Sequence, residues 1–345
     1  MIIMIKFVKS KHAVSFVGRN YKACHSLLTI DFMGPCPYRC VYCYVRDMPY
    51  IYSSWGLKNR FDLEAVLWYN KPELLKKYMR QNRDFKFPIR IGALSDIGPP
   101  FNYTIPMLRK TLRYALELEY PLVIFTKTPL NKFDELVELF LKMMNKGLIA
   151  VAVSITDVDE KIYRRLEPLA PPVNERINFL EWLSDNDIPH ILRISPLLQG
   201  VTDKEEKFLG ILNSIPRSHV VVEYIRTRNK RLINFLMKLG VYTWKWDNIW
   251  KYYLAPRNYR KRKYIELREI AHHAGWSYAV CGDPLKNENI CIYQDYDDCC
   301  TGKWRIYSKA VRKILEKEAT IRKNKRFVKE ILSQTSLVRY NKVCK

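Results

Sequence analysis

The sequence predicts an α/β protein whose parallel sheet forms a partial (β/α)6 barrel of the TIM type, followed by a basic, mainly helical C-terminal extension. Six short runs rich in Val, Ile, Leu and Phe alternate with amphipathic segments between residues 27 and 225. Strands separated by helices pair in parallel, and nearly continuous apolar strands are buried on both faces. At 345 residues with 48% hydrophobic content, the chain can bury one core of barrel size.

The predicted strands and helices follow one another in regular alternation. Strands are predicted over residues 27–32, 88–96, 121–127, 149–155, 190–195 and 220–225. Helices are predicted over residues 61–68, 72–81, 104–118, 131–146, 174–186 and 203–213. In barrels of this kind the functional residues lie at the C-terminal ends of the strands. The polar residues predicted there are Ser95, Asp96, Lys127, Ser154, Arg193 and Glu223.

Three cysteines follow the first predicted strand at C-x3-C-x2-C spacing. They are Cys36, Cys40 and Cys43, and the aromatic Tyr42 precedes the last of them. A structural zinc site uses four closed ligands, whereas a [4Fe–4S] cluster held by three thiolates keeps one iron open for a substrate or cofactor. The motif therefore favours a catalytic cluster. The alternatives are half of a zinc knuckle or a chance group of buried thiols.

This spacing, C-x3-C-x-aromatic-C, resembles the signature of the radical S-adenosylmethionine (SAM) superfamily, so a barrel of the radical SAM type is expected. The resemblance implies that the amino and carboxylate groups of SAM chelate the open iron. Reductive cleavage of SAM would then give a 5′-deoxyadenosyl radical that abstracts hydrogen from a substrate. It also implies an electron donor such as ferredoxin or flavodoxin.

Within the superfamily, residues 27–225 resemble the spore photoproduct lyase-like branch. The similar motifs are C-P-Y-R-C-V-Y-C-Y at 36–44, Thr126-Lys127, E-P-L-A-P at 167–171 with Arg176, and R-I-S-P-L-L-Q-G at 193–200. The resemblance implies that Lys127 contacts the SAM carboxylate and that Tyr42 and Tyr44 are catalytic. The expected cofactor-binding residues are Tyr42, Ser95, Asp96, Lys127, Ser154, Arg193 and Leu198, the last two near the ribose and adenine.

One position departs from the lyase pattern. In the lyases that reverse the thymine dimer of spores, a cysteine two residues before the SAM-contacting serine returns a hydrogen atom to the product radical. That position is Ala93 here. We therefore expect a transformation other than repair of the spore photoproduct, on a related substrate.

A second group of cysteines, Cys281, Cys291, Cys299 and Cys300, lies near the C-terminus. Its spacing does not match a zinc knuckle. The group suits an auxiliary iron–sulfur cluster or a zinc ion, and the alternatives are buried thiols or a single hydrogen-donating cysteine. Cys24 and Cys344 are assigned no role.

The formal charge of +24 is concentrated near the C-terminus. Residues 226–268 and 301–345 each carry +11, and eight aromatic residues are interleaved with the first block between Tyr242 and Tyr264. Cations interleaved with aromatic rings suit phosphate contacts and base stacking, which predicts nucleic-acid binding. The alternative is a solvated face of a basic protein. The cations expected to contact phosphates are Arg257, Arg260, Lys261, Arg262 and Lys263.

The expected organisation is an N-terminal extension over 1–26, a barrel core over 27–240 and a basic region over 241–345, with helices predicted over 261–274, 304–317 and 323–333. The chain shows no apolar run of membrane-spanning length, and the apolar stretch over residues 1–5 is shorter than a signal peptide requires. A cytoplasmic protein with reduced thiols is therefore expected. These features predict a radical SAM enzyme. The alternative is a non-catalytic, metal-stabilised nucleic-acid-binding protein.

Overall fold

The computed structural model describes residues 4–16, 26–57, 64–84, 86–248, 251–283, 285 and 292–317. The strands within them are β1 (Met4–Val8), β2 (Ser15–Phe16), β3 (Leu28–Ile30), β4 (Met33–Gly34), β5 (Glu64–Trp68), β6 (Ile89–Ile91), β7 (Leu122–Thr126), β8 (Ile149–Ser154), β9 (His190–Leu197), β10 (His219–Tyr224), β11 (Arg226–Thr227), β12 (Lys245–Asp247), β13 (Tyr252–Leu254) and β14 (Ser277–Val280).

The α-helices of the same residues are α1 (Pro49–Ser54), α2 (Lys71–Gln81), α3 (Phe101–Glu117), α4 (Asp134–Asn145), α5 (Glu160–Leu166), α6 (Val173–Asp185), α7 (Glu205–Asn213), α8 (Lys230–Met237), α9 (Arg257–His273) and α10 (Ile306–Lys317). None of these helices combines the length and the apolar character that a membrane span requires. The predicted helix over 323–333 falls outside the described residues.

The central sheet contains eight of these strands in the order β14-β10-β9-β8-β7-β6-β3-β2. From β3 to β14 each pair of neighbours is parallel, and β2 pairs antiparallel with β3 at one edge. All six predicted strands are present and lie side by side in chain order. The predicted α/β fold with a partial parallel barrel is therefore confirmed.

The sheet continues beyond the sixth predicted strand. Strand β14 pairs in parallel with β10, and α9 packs against both β14 and α7. The chain after α8 thus adds a further helix and strand to the barrel wall. Part of the predicted C-terminal region therefore belongs to the same sheet as the predicted barrel core.

The helix predicted over 61–68 is wrong. Glu64–Trp68 is strand β5, which pairs in parallel with β1 and antiparallel with β4. A short apolar run has no period that separates a buried strand from a buried helix, so the pairing partners decide. Because β4 leads directly into the cysteine loop, β5 anchors the start of that loop.

The strand register assigns side chains to two faces of the central sheet. The pairs Phe125↔Ala152, Ser154↔Arg193 and Arg193↔Val221 place these residues on one face. Because successive side chains alternate, Lys127 and Cys281 follow on that face as well. We call it the polar face, defined by Arg90, Phe125, Lys127, Ser154, Arg193, Glu223 and Cys281. The opposite face is aliphatic and includes Ile30, Ile91, Ile124, Val151 and Val222.

Residues 299–307, which end in the first turn of α10, lie at the other edge of the sheet, where the strands begin, and we call this segment the plug. The Tyr307 ring lies 5.8 Å from that of Phe87, which precedes β6. His219, the first residue of β10, contacts the Cys299 carbonyl oxygen through Nε2 at 3.2 Å. The edge formed by the C-terminal strand ends is thus opposite this plug, and it carries the candidate site.

Candidate cofactor site at the C-terminal edge of the sheet

The three cysteines of the motif lie together on the loop that follows β4. Cys40 is buried and packs in one cluster with Tyr38 and Ala170, and Cys36 and Cys43 pack against this cluster. Burial raises the pKa of Cys40 to about 12 and also raises the pKa values of Cys36 and Cys43. These thiols are therefore protonated near neutral pH unless a metal takes the place of the protons.

Three thiols on one loop are the donor set that a [4Fe–4S] cluster with one open iron would use. Among the described residues, no three His, Cys, Asp or Glu side chains are arranged to hold one metal ion. The thiolates of a [4Fe–4S] cluster each bind a different iron, so they need to surround a volume rather than converge on a point. Cys36, Cys40 and Cys43 on one loop would hold such a cluster and leave its fourth iron open.

A buried carboxylate, Glu167, joins the cysteine loop to the barrel rim. Tyr42 donates a hydrogen bond through its hydroxyl to Glu167 Oε1, and Thr156 Oγ1 donates to the same oxygen at 2.7 Å. Lys127 Nζ lies 4.0 Å from Glu167 Oε1 and 5.7 Å from the centre of the Tyr42 ring. Glu167 thus holds two predicted site residues, Tyr42 and Lys127, against each other.

The charge of Glu167 is balanced inside the protein. Arg176 Nη1 lies 2.5 Å from Glu167 Oε2, and neither side chain is exposed. Burial alone would raise the pKa of Glu167, but Lys127, Arg176 and the two hydroxyl donors together hold it below its usual value. Arg176 also donates to the Ser154 carbonyl oxygen at 3.0 Å. The ion pair therefore fixes the end of β8 together with the cysteine loop.

Asp31 shapes the loop after β6. Its Oδ1 accepts backbone N–H groups from Ala93 at 2.8 Å and from Leu94 and Ser95 at 3.0 Å each. The loop starts at Gly92, whose φ is +85°, and a Cβ there would lie 2.1 Å from the Phe125 carbonyl oxygen. Only glycine fits this position. Asp31 and Gly92 thereby place Ser95 at the edge of the sheet.

Asp96 acts on the site through Lys127. Its Oδ1 accepts from Thr126 Oγ1 at 2.6 Å, and its Oδ2 accepts from the Lys127 backbone N–H at 2.7 Å. Burial raises its pKa despite these donors. The carboxylate predicted to bind a cofactor is thus engaged with the loop after β7, where it positions Lys127.

Both tyrosines of the motif are hydrogen-bonded to the barrel rim. Tyr42 is held by Glu167, as described above. Tyr44 donates through its hydroxyl to the Ala93 carbonyl oxygen at 2.6 Å. Each tyrosine therefore ties the cysteine loop to a loop at the C-terminal edge.

Three predicted cofactor residues lie in one row across neighbouring strands. Ser154 ends β8 and pairs with Arg193 of β9, and Lys127 follows the β7 residue that pairs with Val153. The row Lys127, Ser154, Arg193 lies on the polar face. The structure thus brings together three residues separated by more than twenty positions in the sequence.

Leu198 directly follows β9. It is fully buried in a cluster with Leu166 and Val201, against which Tyr42 packs. Its backbone N–H donates to Thr202 Oγ1 at 2.7 Å. Leu198 therefore supports the cysteine loop by packing.

The described cysteines of the second group come from two segments of the chain. Cys281 follows β14, whereas Cys299 and Cys300 lie in the plug, with their sulfur atoms 3.9 Å apart, and both Cys281 and Cys300 lie near Arg193. Cys291 falls outside the described residues. The described cysteines give no geometry for an auxiliary cluster or zinc, and that site stays a prediction.

One of the cations expected to contact phosphates is buried. Arg260 is 1% exposed, and its Nε lies 2.8 Å from Asp283 Oδ2. Tyr264 donates to the same oxygen at 2.9 Å. Arg260 therefore stabilises the junction between α9 and β14, which corrects the prediction for this residue.

The sequence analysis did not single out Asp31 or Asp47. Both are carboxylates whose hydrogen-bond partners are distant in sequence: Asp31 accepts from residues 93–95, and Asp47 Oδ2 accepts from Thr227 Oγ1 at 2.8 Å. The position of Asp31, directly after a strand and before the cysteine loop, was the available signal. Asp47 carried no comparable signal.

Comparisons with known proteins agree with this geometry. The family model of the radical SAM superfamily matches residues 30–212. An uncharacterized protein of Methanocaldococcus jannaschii is 29% identical over 206 residues, which are 59% of this chain and 70% of that protein.

Among solved structures, a spore photoproduct lyase double mutant with bound AdoMet and dinucleoside spore photoproduct superposes with a TM-score of 0.57. The match covers 80% of this chain and 81% of the lyase at 14% identity. A spore photoproduct lyase complexed with dinucleoside spore photoproduct gives a TM-score of 0.56 at the same coverage and identity. The resemblance in fold extends beyond the residues of the family model, which span more than half of the sequence. This chain belongs to the radical SAM superfamily.

Proposed function

We propose that this protein is a radical SAM enzyme that abstracts hydrogen from a nucleic acid, to repair or modify it. A [4Fe–4S] cluster held by Cys36, Cys40 and Cys43 would supply the electron that cleaves SAM into methionine and a 5′-deoxyadenosyl radical. The electron would come from an external one-electron donor of the ferredoxin or flavodoxin class.

The residues of the rim would bind and orient the cofactor. Lys127 is positively charged beside Cys40, so it is placed to bind the SAM carboxylate next to the open iron. Ser95, in the loop after β6, and Ser154, at the end of β8, lie at the same edge of the sheet and offer hydroxyl groups to the cofactor. Glu167 and Asp96 hold Lys127 from the side chain and from the backbone.

The nucleic-acid part of the proposal is based on a small antiparallel sheet beside the cysteine loop. Its order is β11-β13-β12, and the Trp246 and Tyr253 rings pack edge to face with centroids 5.0 Å apart. Trp246 is 39% exposed and the nearby Tyr242 is 70% exposed. Lys245 and Lys251 are exposed on the same hairpin. Aromatic rings next to cations are a platform for stacked bases and their phosphates.

The position of this sheet is the observation on which the proposal depends. Asp47, four residues after the last cysteine of the motif, accepts hydrogen bonds from Thr227 Oγ1 at 2.8 Å and from the Arg228 backbone N–H at 2.9 Å. These bonds tie β11 to the short helical turn after the cysteine loop. A strand of nucleic acid bound on the sheet would thus lie beside the cofactor site.

The N-terminal end of α9 extends the basic surface at the same edge. Tyr259, in its first turn, donates to Asp203 Oδ2 at 2.7 Å, and Asp203 belongs to the turn after β9. Arg257 and Arg262 are exposed there. The exposed cations of the hairpin (Lys245 and Lys251) and of α9 (Arg257 and Arg262) therefore lie along the same edge of the sheet, and we call this surface the mouth.

Replacing Lys245, Lys251, Arg257 and Arg262 together by glutamine is expected to weaken nucleic-acid binding and its salt dependence. Each phosphate contact contributes a slope of about −0.9 in a plot of log affinity against log salt for duplex DNA, and about −0.7 for single strands. The quadruple variant should therefore flatten the slope by as much as about 3 to 4. Fluorescence anisotropy with labelled RNA and DNA over a salt series measures this.

The matched control removes four exposed cations from α3, from α4 and from the residue that follows α4, namely Lys110, Arg113, Lys142 and Lys146. It changes the net charge equally but leaves the mouth intact. An equal loss of slope in both variants would show non-specific attraction, and an unchanged slope in the mouth variant would refute the nucleic-acid proposal.

DNA that contains the spore photoproduct is expected not to be restored cleanly to thymine. Ala93 has no thiol to return a hydrogen atom, and its N–H and C=O groups are engaged by Asp31 and Tyr44. Mass spectrometry of the products against 5′-deoxyadenosine formed measures the yield. The variant Ala93→Cys should raise the fraction of clean thymine, whereas efficient repair by the wild type would contradict the expectation.

A further inference from the structure

Arg193 is a buried cation on the polar face with an unused donor. The residue is 6% exposed, and its guanidinium carbon lies 4.7 Å from the centre of the Phe125 ring. Its Nη2 lies 3.6 Å from Glu223 Oε2, the guanidinium donates a hydrogen bond to the Cys281 thiol, and Cys300 also lies nearby. Its Nη1 is buried and makes no hydrogen bond within the described residues.

An unused N–H of a buried guanidinium is unusual. Buried polar atoms in native proteins nearly always have a hydrogen-bond partner, and the exceptions mark functional sites or unoccupied ligand positions. Arginine stays protonated in proteins, so this group cannot lower the cost by losing its proton. An acceptor atom from a ligand on the polar face would complete its hydrogen bonds.

The surrounding charges favour an anionic ligand. Glu223 is shared, because Arg226 Nη2 lies 2.9 Å from its Oε1 and Ser195 Oγ donates to its Oε2 at 3.2 Å. Arg90 lies against the same Phe125 ring, at 3.9 Å from its centre. Asp31, the other carboxylate near Arg90, already accepts three backbone N–H groups. Three guanidiniums thus accompany two engaged carboxylates.

We infer that Arg193 binds an oxyanion of the substrate, which for a nucleic acid is a phosphate group. The unused Nη1 would donate a charge-assisted hydrogen bond to one oxygen of such a group. This role differs from the contact with ribose and adenine that the family resemblance implies for Arg193. The inference rests on the proposed nucleic-acid substrate for the identity of the oxyanion.

The other source of an oxyanion at this edge is the carboxylate of SAM. Lys127 is better placed for that group, because it lies beside Cys40 of the cluster loop. Arg193 stands two strands further along the sheet, on the side of Glu223 and Cys281. The two cations therefore suit two different anions.

The test is equilibrium dialysis of labelled thymidine 5′-monophosphate with the reconstituted full-length enzyme and SAM, with thymidine and inorganic phosphate as competitors. The wild type is expected to bind the nucleotide more tightly than thymidine. Arg193→Gln should weaken the nucleotide about 10- to 100-fold, the range for a hydrogen bond to a charged group. The nucleotide affinity of Arg193→Lys should lie between those of the wild type and of Arg193→Gln. SAM affinity should stay within about twofold, which dialysis of labelled SAM reports.

Arg164→Gln is the matched control, since Arg164 is exposed on α5 and pairs only with the exposed Glu160 and the Tyr163 ring among the contacts described. It should bind both ligands as the wild type does. Nucleotide binding unaffected by Arg193→Gln would overturn the inference. A loss of SAM affinity with nucleotide binding retained would instead assign the oxyanion to SAM. If inorganic phosphate binds with the same affinity as the nucleotide, the oxyanion site is confirmed but the nucleic-acid proposal is wrong.

Discussion

Replacement of Cys36, Cys40 and Cys43 by alanine is expected to abolish SAM cleavage. The three thiols are the only cluster ligands that the loop after β4 provides. The Tyr42 and Tyr44 side chains, which remain in the variant, cannot replace thiolates as ligands of iron. After anaerobic reconstitution the triple variant should bind no iron. With dithionite and SAM it should form 5′-deoxyadenosine only at the level of a control without enzyme.

Cys344→Ala is the matched control, because it removes a thiol outside the motif. It should bind iron and cleave SAM at the rate of the wild type. If the triple variant still forms 5′-deoxyadenosine at the wild-type rate, the cluster does not lie on this loop. The assignment of the candidate site would then be wrong.

The second large effect is expected for Glu167→Ala. This change leaves Arg176 buried without its ion-pair partner and removes the acceptor of the Tyr42 and Thr156 hydroxyls. Breaking a buried ion pair by removing one partner costs about 3–5 kcal/mol. We therefore expect a large fall in the midpoint of urea unfolding, and a loss of SAM cleavage because Lys127 and the cysteine loop lose their common support.

Two variants separate this effect from a general loss of charge. Glu160→Ala removes the partner of Arg164 in an exposed pair on α5 and should cost less than about 1 kcal/mol. Glu167→Gln keeps the volume and an acceptor for Tyr42 and should retain more activity than Glu167→Ala. Equal unfolding midpoints for Glu160→Ala and Glu167→Ala would contradict the role given to the buried carboxylate.

Features that depend on residues close together in the sequence were predicted well. The six apolar runs became adjacent parallel strands, because β-branched and aromatic residues in short runs bounded by loops are typical of buried strands. The cysteine spacing is also local, and it placed the candidate cluster on the loop that the structure shows at the C-terminal edge. The row of Lys127, Ser154 and Arg193 followed from the rule that strand ends carry functional residues.

Features that depend on distant partners were missed. Asp31 accepts from residues more than sixty positions away, and Tyr42 meets Glu167 across 125 positions. Strand β14 is four residues long and lies between the two basic blocks, in a part of the chain predicted to be mainly helical, so only its pairing with β10 identifies it. Arg260 looked like a surface cation because charge is visible in the sequence, whereas its burial against Asp283 is not.

The assay of SAM cleavage by the wild-type protein tests the central claim most directly. Protein reconstituted anaerobically with iron and sulfide is expected to be brown and, with dithionite and SAM, to form 5′-deoxyadenosine and methionine in equal amounts. Colourless protein that retains zinc at the three cysteines and forms no 5′-deoxyadenosine would contradict the claim, and would favour a metal-stabilised binding protein instead.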